Sequence, residues 1–185
     1  ITIKHVAVLT EIYDKTYQPQ MAKAQIDFVS TRIQGLLSGN CLSQVNIDVI
    51  EEKLELLESV AYSSALMHGD FTPWNMYLDE ELIYLYDWES ASQAPLFFDI
   101  YHFIFQSESF IYKRFSVMEI EREIERVMNL NTVKDLIAKY SIDVKKHLIL
   151  YLLYVIAFYS ERYLIDGKSH GNQIQLWTNY LKTIT

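Results

Sequence analysis

The sequence predicts a mainly α-helical chain of the α+β class, interrupted by one short β-hairpin. Three observations carry that expectation. Apolar residues recur three or four positions apart along most of the chain, which is the spacing of one helix face. Five glycines and three prolines in 185 residues fall well below the ~12% of average usage, too few for a turn-rich all-β architecture. Only residues 76–86 break the helical period, with two β-rich runs around a polar turn.

The elements follow in order. Ile3, Val6, Leu9, Ile12 and Tyr13 share one face of a first helix. A second is expected from Met21 to Leu37, with Ile26, Val29, Ile33 and Leu36 or Leu37 inward, stopping at Ser38-Gly39-Asn40, where glycine can take the left-handed position. A third is expected from Ile47 to Val60, with Asn46 as N-cap and Asp48 in the first turn. The short apolar run Ala65-Leu66-Met67 then leads into the loop His68-Gly69-Asp70. Met76-Tyr77-Leu78 and Leu82 to Tyr86 flank Asp79-Glu80-Glu81 as a hairpin. After Pro95 the pattern predicts helices over 98–112, 117–128, 132–140, 142–165 and 172–183. Ser141 is expected to cap the long one and Gly167 to end it. From His147 to Tyr159 that helix is apolar on nearly every face, so it should be the central buried helix.

Composition excludes several classes. Sixteen basic against 24 acidic residues give a net charge of -8, which leaves no basic stripe to neutralise the phosphates of a nucleic acid. Cys41 is the lone cysteine and can form no internal disulfide, so a reducing, cytoplasmic setting is expected. The longest apolar run, Leu148 to Tyr159, falls short of the ~20 residues a spanning helix needs, and no membrane partner is expected. No G-x-G occurs, so no glycine-rich phosphate loop is encoded. Gly167-Lys168-Ser169 imitates the end of a P-loop, but Arg162 stands where its first glycine belongs. The chain opens on Ile1 and reads as a piece of something longer.

The hairpin organises three side chains. Asp70 lies in the loop before it, Asn75 enters its first strand, and Asp87 ends its second, so the hairpin should return Asp87 close to Asn75. An asparagine and an aspartate facing one point are the hard oxygen ligands that Mg²⁺ prefers. Asp70, nearby but not bound to the metal, could orient a substrate hydroxyl and accept its proton. Those are the parts of a phosphoryl-transfer site.

The stretch His68-Gly69-Asp70-Phe71-Thr72-Pro73-Trp74-Asn75, then Asp87-Trp88-Glu89, then Pro95 through Asp99-Ile100 resembles the aminoglycoside phosphotransferase and choline kinase-like family, small-molecule kinases on the protein-kinase fold. The resemblance implies that Asp70 is the catalytic base and that Asn75 and Asp87 hold magnesium at a nucleotide site. It makes His68 a loop-ordering residue and Asp99 a structural brace for the catalytic loop. The matching motif stretch runs from about Leu66 to Phe103.

The family's N-terminal β lobe, with its nucleotide-covering loop and phosphate-binding lysine, is not found in the sequence. Ile1-Thr2-Ile3-Lys4, with Glu11 as a partner, superficially resembles the lysine strand, but helical segments rather than further strands follow it. Residues 1–185 are therefore expected to form a single domain, the helical C-terminal lobe of such a kinase. Its partners would be the missing lobe of the same protein, a small hydroxyl substrate (an amino sugar, sugar or amino alcohol) and Mg²⁺ with ATP. The nucleotide site would be incomplete in this chain, and the chain alone inactive. The competing reading is a non-catalytic kinase-like binding or scaffold module. A two-metal phosphatase would need more histidines near the aspartates. Trp74 and Glu89 stay open between a substrate-facing place and packing or solvent exposure. Glu108 is a candidate acid beside the cleft, and His5, His102, His147 and His170 read as structural or surface residues.

Overall fold

Helix α1 runs from Ile3 to Thr16 and buries Val6, Leu9 and Tyr13 on the face that the spacing predicts. In the computed structural model the described residues are 1–19, 27, 29–33, 44–58, 62–80, 82–166 and 171–184. Thr2 opens α1, its backbone N–H donating to Nδ1 of His5 at 3.2 Å. Lys4 therefore lies in a helix, donating to the Glu80 carbonyl at 3.1 Å, and Glu11 pairs with Lys15 one turn along. Neither belongs to a phosphate-binding strand.

Of the second expected helix, residues 29–33 are helical and Val29 and Ile33 are buried, as predicted. Met21, Ile26, Leu36, Leu37 and the stop at 38–40 lie outside the described residues. Helix α2 spans Gln44–Glu58, starting three residues before the expected Ile47. Asn46 is thus the third residue of the helix rather than its N-cap.

Two small antiparallel sheets follow. Strands β2 (Met76–Asp79) and β3 (Leu82–Leu85) form the expected hairpin, in register Met76 with Leu85 and Asp79 with Leu82. The other sheet was not expected: β1 (Ser64–Met67) pairs with β4 (Ser92–Pro95), Ser64 opposite Pro95 and Met67 opposite Ser92. Ser-Gln-Ala-Pro has little β propensity, and four residues are too few to show alternation; the pairing is imposed by the hairpin between them. Proline is tolerated there because it ends an edge strand.

Helix α3 (Phe98–Gln106) leads into a π-helical turn, Ser107–Ile111, where a single helix over 98–112 was expected. The Tyr112 N–H reaches back five residues to the Ser107 carbonyl. Helices α4 (Val117–Met128), α5 (Asn131–Tyr140), α6 (Val144–Asp166) and α7 (Gly171–Thr183) complete the chain. Ser141 ends α5 in the left-handed region at φ 52°, so it does not cap α6. Asp143 does, its carboxylate accepting the Lys146 N–H at 3.1 Å, the usual N-cap bond. Gly167 lies outside the described residues.

The core forms around α6, whose residues Leu148 to Leu153 are all buried, packed on α2, α3 and α7. Each such leucine contributes about 1.5–3 kcal/mol by leaving water. Among the described residues, no helix is long and apolar enough to cross a membrane.

Candidate active site

The loop between β1 and β2 is held from three sides. Phe71, fully buried, packs against the rings of His5, His68 and Phe103 and plugs the loop into the core. From below, Asp99 on the first turn of α3 accepts the backbone N–H of His68 at 2.8 Å and that of Gly69 at 3.1 Å. From the hairpin side, buried His68 faces the Tyr86 carbonyl at 2.9 Å through Nε2. A carbonyl can only accept, so Nε2 carries the proton. Nδ1 is then free to accept the Asp70 N–H, at 3.4 Å.

Gly69 is required at its position. It sits at φ +87°, and a Cβ there would lie 2.3 Å from the Ser90 carbonyl oxygen. That close approach brings the loop against the turn Trp88–Ser90 that follows the hairpin. The sequence reading treated Gly69 only as part of a motif.

Asp70 projects from this braced loop with both carboxylate oxygens engaged. The Asn75 amide donates to Oδ2 at 2.7 Å and to the Asp70 carbonyl at 3.1 Å. His102 Nε2 lies 3.2 Å from Oδ1. That hydrogen bond is the main reason the Asp70 carboxyl is held below the ordinary carboxylate range, against a smaller opposing effect of burial. Asp99 is shifted the other way: burial raises it, although its two backbone donors pull back.

Asn75 and Asp87 lie at the same end of the hairpin. The Tyr86 N–H donates to the Asn75 carbonyl at 3.2 Å, so Asp87 is one residue beyond Asn75's partner. Asp87 takes a left-handed conformation at φ 65° and is exposed. Because Asn75 spends its NH₂ on Asp70, its Oδ1 accepts no hydrogen bond among the described residues, and the Asp87 carboxylate makes none either. A neutral and an anionic hard oxygen without protein donors suit Mg²⁺. No cluster of three or more His, Cys, Asp or Glu able to hold a metal exists among the described residues.

A cleft of about 210 Å³ opens beside Asp70, lined by Glu89, His102, Tyr154, Phe158 and Arg162 among others. Glu89 thus faces the cleft. Trp74 is 44% exposed and meets the Phe110 ring edge-on. Glu108 is buried in the π-helical turn, 3.4 Å from Arg114, and lines a different cavity with Arg126 and Glu123.

His102 is the residue that sequence reasoning missed. The signal was its spacing: three residues after Asp99, it shares a helix face with the residue already assigned to the loop. The family model described as the phosphotransferase enzyme family matches residues 14–126, a span that holds every residue of this site named on the loop, the hairpin and α3. No curated protein matches the chain.

Proposed function

The chain belongs to the phosphotransferase enzyme family, and from that premise we propose that it is the catalytic-loop lobe of an ATP-dependent small-molecule kinase. The observation that carries the proposal is the single braced loop that presents Asp70 to a cleft and is tied through the Asn75 amide to the start of the hairpin.

In this reading Asp70 accepts the proton of an acceptor hydroxyl as that oxygen forms its bond to the γ-phosphorus and the bond to the β-phosphate oxygen breaks. Its lowered basicity keeps it ionised at neutral pH, and each carboxylate oxygen retains a lone pair beyond the bonds from Asn75 and His102. Asn75 Oδ1 and Asp87 would hold Mg²⁺, which supplies positive charge against the phosphates. His68 and Asp99 fix the backbone from which Asp70 projects, a task of orientation rather than proton transfer.

The acceptor class in this proposal is a hydroxyl of an amino sugar, sugar or amino alcohol. A further lobe of the same protein would supply most nucleotide contacts, as the family resemblance implies. The 185-residue chain alone is then expected to bind Mg-ATP weakly, and micromolar affinity by calorimetry would contradict that part. The proposal as a whole is tested by following ATP consumption by the full-length protein across a panel of hydroxylated metabolites. Activity that survives Asp70→Ala would overturn it.

A further inference from the structure

We propose that His102 is a positioning residue for Asp70, holding the carboxylate in its reactive orientation through Nε2; this rests on Asp70 being the proton acceptor of the proposed function. The geometry is built from two sides. On α3, Asp99 and His102 lie three residues apart on one face. Asp99 grips the loop backbone at His68 and Gly69, and His102 grips the side chain that the loop presents, 3.2 Å from Asp70 Oδ1.

The opposite edge of the ring is held too. The Tyr151 hydroxyl lies 3.4 Å from His102 Nδ1, and Tyr151 is fully buried with its hydroxyl pushed well above the usual range, so it stays protonated. An ionised carboxylate can only accept, so the 3.2 Å contact with Asp70 places a proton on Nε2, while the Tyr151 hydroxyl meets the ring at Nδ1. The carboxylate is thereby clamped between two donors, Asn75 on Oδ2 and His102 on Oδ1. Neither donor alone fixes its rotation about the Cβ–Cγ bond.

His102 also forms part of the cleft wall, with its side chain only 12% exposed. It is neither a solvent-facing histidine nor an inert core residue. The arrangement distinguishes its two ring nitrogens: only a side chain with a donor at the Nε2 position can replace it. Glutamine places an amide there, whereas asparagine places one near Nδ1 and falls short of Asp70.

The test uses the full-length protein with Mg-ATP as probe and water standing in for the acceptor hydroxyl. His102→Ala and His102→Asn should each lower the turnover number about 10²-fold, the cost of a reacting group misplaced by about an ångström, with the KM for Mg-ATP unchanged within about twofold. His102→Gln should restore most of that loss. Long-range nitrogen–proton spectra of the histidine side chains should show the His102 proton on Nε2. The proposal is overturned if His102→Asn and His102→Gln behave alike, if all three variants turn over like the parent, or if the proton resides on Nδ1. Asp70→Asn separates the two claims: turnover that survives it defeats the phosphotransferase reading itself, while the tautomer and its dependence on Asp70 can still be read from the spectra.

Discussion

Asp99 accepts the backbone N–H of His68 at 2.8 Å from a position on α3 that is 1% exposed, 31 residues further along the chain. Its other oxygen takes the N–H of Gly69. One buried and one partly buried loop donor are satisfied by a single carboxylate. Asp99→Ala should therefore cost about 2–4 kcal/mol, the penalty for orphaning one buried and one partly buried donor. Urea unfolding of the variant checks this, and a loss under 0.5 kcal/mol would contradict it.

The opposite shifts of Asp99 and Asp70 give opposite pH dependences. Burial raises Asp99 in the native state, so folding favours its protonated form. Its contribution is fullest below the unfolded carboxyl value of about 4 and declines as pH rises through the native value. Asp70 is lowered, chiefly by His102; its contribution is present above that unfolded value and is lost as pH falls through the native one. The stability difference between parent and Asp99→Asn should slope downward above pH ~4, and that for Asp70→Asn should fall away below it. Urea midpoints between pH 2.5 and 7 give both slopes.

Gly69 should not tolerate a side chain. At φ +87°, with the Ser90 carbonyl 2.3 Å from any Cβ, Gly69→Ala adds a left-handed penalty of about 1–2 kcal/mol to a backbone clash, for a total above ~2 kcal/mol. Thermal unfolding checks the stability loss. Turnover should fall as well, because the residue joins His68 to Asp70.

Substitution of Asp87 should separate the proposed metal binding from folding. Asp87 is exposed and makes no hydrogen bond among the described residues, so Asp87→Asn should change stability by less than about 0.5 kcal/mol. Outer-sphere partners of a metal already contribute 10–100-fold, so losing a direct ligand should raise the Mg²⁺ concentration for half-maximal turnover by at least about tenfold. A Mg²⁺ titration of ATP turnover reads this directly. An unchanged midpoint would remove Asp87 from the metal site.

Much of the fold was legible because it rests on periodicity. Ile120, Ile124 and Val127 recur along one face of α4, and that face is buried; α6 is apolar on nearly every face and sits at the centre. Where a feature depends on distant contacts, the sequence was silent. Strand β4 exists because the chain returns past β1, and nothing in Ser92–Pro95 announces it. The π-helical turn at Ser107–Ile111 shares the apolar pattern of an ordinary helix, so periodicity ran through it. Ser141 looked like an N-cap by residue type, yet Asp143 two positions later performs that role.

The site divides in the same way. That Asn75 and Asp87 fall at one end of the hairpin was readable because a hairpin converts sequence separation into proximity, and the Tyr86–Asn75 bond lies where the hairpin closes. His102 could be placed only once α3 was seen to pass beneath the loop, since nothing between residues 70 and 102 fixes that approach locally. Its three-residue offset from Asp99 becomes informative only when Asp99's own partner is known.

Phosphorus NMR of the full-length protein with Mg-ATP and a panel of hydroxylated metabolites tests the central claim most directly. The account predicts that a phosphate-ester signal grows as the γ-phosphate signal of ATP decays, and that Asp70→Asn slows this by about 10²–10⁴-fold. The same ester formed by Asp70→Asn at the parent's rate would contradict it.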